Sequence, residues 1–447
     1  MKKSSIFSAI AAMLLSSSTV FAEPKVELGG IFDFSVSTRV QKKLEGSAKN
    51  LSANNKSVVF NSSASISAKV TEQSDELKYG FKVVMITTTV AKKTPGFNGS
   101  HLFVESQDFG KLEVGAPFDV STSMQITGND VSAGPRGASW EPLINSNPKG
   151  AYGFDLNVLD FYLSGFTSKG SVADREPSRK INYYTPKMMG FQFGITWIPD
   201  STNGGTDSKS ASSAFNKRQV QWIDAEGALK KYNILLGATN AFAFGLSYEA
   251  EIAEATSFKA AVTGEFGKAL QQAFIAKEDK VDASWAIDKS AVAEDGKTLT
   301  GPHKLKNLKG YDVGAVLTHT NFSYGISYGN LCKSFTAAAL DENKNTDFYV
   351  AAVNYNQGPI NVSLTYIGGA NKKNRFNSIA LGSDYKIAPG LIAYAETAYA
   401  QGKGNGKIYK AAKLATPDNP KETAAAFQSE KQKFNGTSFV LGLKLKV

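Results

Sequence analysis

The sequence predicts an all-β fold, a transmembrane antiparallel β-barrel of about sixteen strands. Apolar and polar residues alternate over stretches that are longer than the usual strand of a globular protein. Short and long connecting segments alternate along the chain. This alternation is typical of a barrel with tight turns at one end and long loops at the other. Beyond the N-terminal segment, no apolar run reaches the roughly 18 residues that a membrane helix needs.

The alternation is clearest in the first stretch, from residue 25 to residue 40. Even-numbered positions there, such as Leu28 and Phe32, are mostly apolar, whereas the odd-numbered positions are mostly polar. The same pattern returns over residues 60–70 and 77–85. Strands of this length can cross a bilayer at a tilt, with apolar side chains facing lipid and polar ones facing the barrel interior.

A β-hairpin is predicted over residues 180–197, KINYYTPKMMGFQFGITW. The residues at 186–190 interrupt an alternating pattern that resumes at Phe191 and runs to Trp197, so one face of the hairpin is apolar. Such a face could pack on a soluble core or on lipid. A soluble β-sandwich gives no reason for long strands joined by alternately short and long connections, so the repetition along the chain favours the membrane barrel.

The connections between predicted strands fall into two classes. The predicted short ones are residues 72–76, 107–110, 186–190, 253–257, 320–321, 357–359 and 387–390. The predicted long ones are residues 41–57, 88–99, 117–178, 199–241, 268–308, 331–346, 369–374 and 401–436. Residues 231–238 and 156–165 could instead be further strands, which would raise the strand number to about eighteen. We prefer sixteen strands, because short and long connections then alternate along the whole chain.

The N-terminus predicts an export signal. A short basic region, Met1-Lys2-Lys3, precedes the apolar run from Ile6 to Leu15, which is too short to span a bilayer. Small residues at the end of the segment, around Ala22, suit a signal peptidase. We therefore expect residues 1–22 to be a cleaved signal peptide and residues 23–447 to form the barrel.

Composition and motifs argue against several other functions. The formal net charge of +10 is not gathered into a basic cluster with interleaved aromatic residues, which argues against nucleic-acid binding. The three histidines, His101, His303 and His319, lie in no catalytic or metal-binding motif. The sequence therefore predicts no enzyme, no cofactor and no metal. The single cysteine, Cys332, cannot form an internal disulfide.

Both the aromatic residues and the last strand fit a barrel in a membrane. Six tyrosines occupy predicted strand ends, where a ring can meet lipid while its hydroxyl meets water: Tyr324, Tyr328, Tyr355, Tyr366, Tyr385 and Tyr399. The last strand alternates from Phe439 to Val447, so the chain ends on an outward-facing apolar residue. Pairing this strand with residues 26–40 would close the barrel and remove both sheet edges.

Three segments resemble hairpins of the Gram-negative general (trimeric) porin family, and most of all its alphaproteobacterial branch. They are SHLFVESQDFGKLEVG at 100–115, RKINYYTPKMMGFQFGITW at 179–197 and IALGSDYKIAPGLIAYAETAYA at 379–400. One departure is Val447, since the family usually ends in phenylalanine. The resemblance implies a homotrimer in the outer membrane of a Gram-negative bacterium, in contact with outer-membrane lipid. It also implies a water-filled channel for passive diffusion of small hydrophilic solutes and ions.

The resemblance also implies that the third long loop, residues 117–178, folds into the barrel and narrows it. The candidate constriction residues on this loop are Asp119, Asp130, Arg136 and Glu141. Strand parity supplies the opposing wall, for which we expect Arg39, Lys82 and Lys180 to face the loop carboxylates. Two alternatives stay open. The loop could be an ordinary solvated extracellular loop, and the protein could be a non-conducting structural or adhesin-type barrel.

Overall fold

The computed structural model describes residues 24–41, 58–74, 76–88, 96–135, 151–152, 178–201, 217–223, 229–235, 237–271, 273–274, 304–336, 345–371, 374–410 and 426–447. Sixteen strands form the barrel. They are β1 Lys25–Gln41, β2 Val58–Ser74, β3 Leu77–Thr88, β4 Gly96–Ser106, β5 Gly110–Gly115, β6 Lys180–Tyr184, β7 Phe191–Asp200, β8 Ala238–Ala253, β9 Thr256–Ala269, β10 Leu308–His319, β11 Phe322–Asn330, β12 Thr346–Gln357, β13 Ile360–Asn371, β14 Asn374–Ala388, β15 Leu391–Lys410 and β16 Ala426–Lys446. The two-residue strand Ala151–Tyr152 joins the same sheet by pairing with Lys407 and Ile408. The predicted signal peptide, residues 1–22, lies outside the described residues.

The sheet is a closed antiparallel barrel. Each strand pairs with the next along the chain, and β16 pairs with β1 from Ile31 opposite Lys446 to Gln41 opposite Gly436. The last residue continues this pairing, because the backbone N–H of Val447 donates to Gly30 O at 3.0 Å and Gly30 N–H donates to Val447 O at 2.9 Å. The predicted barrel of about sixteen strands is therefore confirmed.

Side chains alternate across the barrel wall as predicted. Large apolar residues such as Leu28, Ile66 and Leu441 are exposed on the outer surface. Residues of the opposite parity, such as Ser37 and Thr365, are buried inside. Five of the six tyrosines predicted for the membrane interface, all except Tyr355, are also exposed on the outside. An apolar surface that surrounds the whole barrel, with a polar interior, is typical of transmembrane β-barrels.

The two ends of the barrel differ as predicted. One end, which we call the turn end, carries the short connection between β2 and β3 and those at residues 107–109, 185–190, 254–255, 320–321, 358–359 and 389–390. Both chain ends of the barrel, at Lys25 and Val447, also lie at the turn end. The other end, which we call the loop end, carries the long connections. The predicted long connection at 369–374 was wrong, because β13 and β14 pair out to Asn371 and Asn374 and leave only two residues between them. Within the described residues, no helix has both the length and the apolar character to cross a membrane.

Several predicted loops contain strands. Leu229–Leu235 is a strand, but it pairs with Lys217–Ile223 and Ala273–Phe274 in a separate three-stranded sheet and adds nothing to the barrel. The predicted loop at 401–436 was wrong for much of its length, because β15 and β16 stay paired out to Lys410 and Ala426. This extension lacks the apolar alternation of the lower strand, so its pairing could not be predicted from a lipid-facing pattern. The other ambiguous segment, residues 156–165, lies outside the described residues.

Candidate pore-lining site

The third long connection turns inward as soon as it leaves the wall. Its flanking strands are short, with six residues in β5 and five in β6. Residues 117–135, which we call the inner segment, then contact side chains that point into the barrel. The inner segment contains one short helix, α1, at Val120–Ser123, and a 3₁₀ turn at Gly128–Val131. Residues 136–150 and 153–177 lie outside the described part of the chain.

The first part of the inner segment is tied to β6 and β7 by polar contacts. Val120 N–H donates to Thr196 Oγ1 at 2.8 Å, and the Thr196 hydroxyl donates to Asn182 Oδ1 at 2.8 Å. Asn182 Nδ2 donates to the carbonyl of Phe118 at 2.7 Å. Because Thr196 and Asn182 are buried inward-facing residues on adjacent strands, they fix the entry of the loop to the wall.

An apolar contact supports the same region. Val120 and Met124 of the inner segment form a buried cluster with Tyr184 of β6 and Ala243 of β8. Adjacent inward positions on β7 and β8 carry Gly194 and Gly245, and a Cβ at either would crowd the Met124 sulfur, at 2.7 and 2.9 Å. The absence of side chains at these two glycines therefore lets α1 lie close to the wall.

The 3₁₀ turn lies on the next strands. Gly128 N–H donates to Ser327 Oγ of β11 at 3.3 Å, and a Cβ at Gly128 would lie 2.8 Å from Val350 O of β12. The carbonyl of Ile126 occupies the space above Gly314 of β10, where any Cβ would overlap it. The turn therefore needs glycine both in the loop and in the wall beneath it.

The end of the described inner segment reaches β13, β14 and β15. Ala133 N–H donates to Ser363 Oγ at 2.7 Å, and Gly134 N–H donates to Asp384 Oδ1 at 2.9 Å. Gly134 also lies against Glu396, whose Cβ is 3.4 Å from the position of a Gly134 Cβ. The inner segment thus follows the wall from β6 to β15 and covers its inner face over those strands.

The strands on the other side of the barrel carry basic residues. We define the basic arc as Arg39, Lys69, Lys78 and Lys82, which occupy inward parity on β1, β2 and β3. Lys69 lies opposite Lys82 in the strand register, and Lys82 lies opposite His101 of β4. In a ring of sixteen strands, strands eight positions apart are opposite each other, so β3 faces β11 and the 3₁₀ turn across the lumen.

The predicted site residues occupy different environments. Asp119 is fully buried, and its Oδ1 accepts hydrogen bonds from Thr122 N–H and Ser121 Oγ, both at 2.8 Å, so it is the N-cap of α1. Lys180 is also buried, and its Nζ donates to Pro117 O at 2.9 Å. The structure thus places Asp119 and Lys180 together at the loop entry, not on opposite sides of open water as expected.

The other predicted residues keep some contact with the lumen or fall outside the described chain. Asp130 is half-buried, and its Oδ2 accepts from Thr127 N–H at 2.9 Å, which closes a capping box. Arg39 and Lys82 are half-buried on the inner wall. Arg136 and Glu141 lie outside the described residues.

The histidines that the structure describes make only local contacts. His101 faces inward on β4, with Nε2 3.8 Å from Glu113 Oε1. His319 lies at the turn end, where Nδ1 is 2.8 Å from Thr256 Oγ1. Within the described ranges, no group of histidine, cysteine and acidic residues has a metal-binding arrangement.

Several residues that anchor the inner segment were not predicted. They are the hydroxyl residues Thr196, Ser327 and Ser363, and the glycines at inward positions of neighbouring strands, Gly194, Gly245, Gly314, Gly325 and Gly382. The alternating pattern could have identified these glycines, because a glycine occupies an inward-facing position on each of β7, β8, β10, β11 and β14. Inward glycines weaken a strand unless another part of the chain approaches closely, so their recurrence is a usable sequence signal.

Comparisons with known proteins agree with this architecture. The family description for Gram-negative porins matches residues 8–405. A protein of Rickettsia typhi described as uncharacterized is 34% identical, over 95% of this chain and 93% of its own length. A similarly described protein of Rickettsia conorii is also 34% identical, over the same shares of both chains. These relatives are consistent with the alphaproteobacterial branch.

A solved structure shows the same fold. An anion-selective porin from Comamonas acidovorans superposes with a TM-score of 0.51 at 14% identity, covering 95% of this chain and 100% of that chain. At this identity the likeness concerns the fold alone. The family match covers most of the chain, and the closed sixteen-strand barrel agrees with it. The chain therefore belongs to the Gram-negative porin family, whose fold implies the outer membrane.

Proposed function

We propose that the protein is a passive aqueous channel of the outer membrane, through which small hydrophilic solutes and ions diffuse. The observation that carries this proposal is the inner segment, which lies along one half of a polar lumen and leaves the basic arc opposite it. Barrels of eight strands can be filled by their own side chains, whereas sixteen strands enclose a wider space. A channel of this kind needs no chemistry and no cofactor.

The pore-lining roles follow from where each residue lies. Asp130, with Arg136 and Glu141 further along the same loop, is proposed to line the narrow part on the loop side. Arg39 and Lys82 are proposed to line it on the wall side. A polar solute crossing between them would experience a field set by the balance of these charges. Asp119 and Lys180 support the proposal differently, by holding the loop entry on β6.

The proposal includes three further features of the protein. Residues 1–22 are removed as a signal peptide during export. The mature chain assembles as a homotrimer in contact with outer-membrane lipid. The short turns face the periplasm and the long loops face the outside of the cell, so the extended hairpin of β15 and β16 projects outward.

Single-channel recording of the refolded mature protein in a planar lipid bilayer tests the proposal. We expect discrete conductance steps, grouped in threes if the trimer is the conducting unit. The heat-unfolded protein in the same detergent is the control, and it should give no steps. If the folded, detergent-stable barrel inserts into the bilayer but never conducts, the channel hypothesis is wrong and the structural or adhesin-type barrel takes its place.

A further inference from the structure

The acidic residues of the inner wall are covered. Glu265 on β9, Asp312 on β10 and Glu396 on β15 all face inward by register, yet they are only 6%, 5% and 3% exposed. The inner segment supplies the cover. Helix α1 packs on β8 and β9, Ile126 crosses β10 at Gly314, and Gly134 lies on Glu396. These carboxyl groups therefore have little contact with lumen water.

Other acidic groups beside the inner segment accept hydrogen bonds. Asp384 accepts from Gly134 N–H at 2.9 Å through one oxygen and from Asn361 Nδ2 at 3.3 Å through the other. Glu113 is buried, accepts from Asn182 Nδ2 at 3.0 Å and forms an ion pair with Lys111. Each of these contacts directs a carboxylate toward protein groups and away from a passing ion.

The basic arc stays open to the lumen. The side chain of Lys69 is 35% exposed, and Lys78 and Lys82 are also half-exposed. Within the described part of the chain, Lys82 has no carboxylate within ion-pair distance. The neighbouring acids are already paired: Glu27 lies 2.8 Å from Lys25 Nζ and 3.9 Å from Lys69 Nζ. Asp33 lies 3.6 Å from Lys444 Nζ and accepts from the Tyr394 hydroxyl.

We propose that the channel prefers small anions, such as chloride, inorganic phosphate and short carboxylates, over cations of similar size. The proposal rests on the proposed function, because it concerns what passes through the same lumen. Its basis is asymmetric burial. The inner segment covers the acidic wall, and its own partly exposed carboxylate, Asp130, faces three half-exposed lysines of the basic arc, so the charge that a solute meets between them is predominantly positive. A lumen lined by one sign of charge concentrates the opposite ion.

Reversal potentials in a potassium chloride gradient across the bilayer test this directly. We expect the wild-type channel to favour chloride over potassium. Lys82→Gln and Lys69→Gln should each lower the chloride-to-potassium permeability ratio by roughly twofold, the combined effect on both ions of losing one unit charge about 8 Å away in water at about 0.1 M salt. Two independent lysine variants keep the test valid if one of them folds poorly.

Two controls separate position from net charge. Lys187→Gln removes the same charge from an exposed side chain in the β6–β7 turn, where Lys187 pairs with Glu249 at 3.1 Å, and it should leave the ratio unchanged. Asp312→Asn keeps the shape of a covered acid and should also leave the ratio unchanged. A conducting channel that favours potassium or shows no preference overturns the inference, as do lysine variants that match the wild type. A channel that does not conduct overturns the proposed function instead.

Discussion

The carboxylate of Asp119 shows that a charged loop residue need not face the lumen. It is fully buried, and one of its oxygens accepts two hydrogen bonds from the first turn of α1. An N-cap satisfies backbone N–H groups that a helix start leaves without partners, and its loss costs about 1 kcal/mol. Asp119 therefore acts on the shape of the loop entry more than on the field in the pore.

This assignment predicts different results for two substitutions of Asp119. Asp119→Asn keeps an oxygen acceptor for Thr122 N–H, so conductance and ion preference should match the wild type. Asp119→Ala removes the acceptor and should destabilise the loop entry by about 1 kcal/mol, seen as noisier open-channel current. Single-channel recordings of both variants check this. A changed ion preference in Asp119→Asn would show instead that the carboxylate acts as a pore charge.

The inner segment is held as one element by contacts with residues far away in sequence. Backbone N–H groups of the segment donate to hydroxyls on β7, β11 and β13, at intervals along its length. Between these bonds, glycines in the wall let the backbone approach closely. Because both kinds of contact recur across many strands, we expect the described segment to stay fixed against the barrel wall and not to open and close as a gate.

Gly314→Ala tests whether close approach holds this element. A Cβ at Gly314 would overlap the Ile126 carbonyl oxygen, so the segment must move off the wall or the strand must bend. We expect a loss of about 1–3 kcal/mol, typical of overpacking, and a conductance that differs from the wild type with larger fluctuations. Current recordings and thermal unfolding in detergent measure the two effects.

The matched control for Gly314→Ala is Gly30→Ala in β1. A Cβ at Gly30 would meet its nearest atoms at 3.4 Å, on the far side of the barrel from the inner segment. Its conductance should stay at the wild-type value. Equal behaviour of the two variants would mean that contact with Ile126 does not position the loop.

At the scale of the whole molecule, the barrel could be predicted because lipid and water impose opposite demands on alternate residues. The pattern from residue 25 to residue 40 and the outward parity of Val447 both follow from that demand. The burial of Asp119 and Lys180 could not be predicted, since it depends on contacts with residues such as Thr196, distant in sequence. A strand over 231–238 was left open as an alternative, but the pairing of Leu229–Leu235 outside the barrel and the extended β15–β16 hairpin could not be predicted, because no lipid-facing face marks them.

The pairing of β16 with β1 that closes the barrel extends to Val447. Deleting Val447 removes two backbone hydrogen bonds to Gly30, at 2.9 and 3.0 Å, each worth about 1 kcal/mol. We expect a lower fraction of folded barrel, measured by the temperature at which the folded band disappears on unboiled detergent gels. Val447→Ala keeps both bonds and should fold nearly as well as the wild type. A deletion that behaves like Val447→Ala would show that these bonds do not stabilise the seam.

The orientation of the barrel in the membrane is the last prediction, and two single cysteines test it. In a Cys332→Ser background, Lys333→Cys places a thiol at the loop end, where Lys333 is exposed. Met189→Cys places one in the β6–β7 turn, where Met189 is 96% exposed. A polymer-linked maleimide too large for the lumen should label Lys333→Cys in intact cells. It should label Met189→Cys only after the outer membrane is permeabilised, because the short turns face the periplasm. The reverse pattern of labelling would show that the barrel has the opposite orientation, with the long loops facing the periplasm and the short turns and both chain ends facing the outside of the cell.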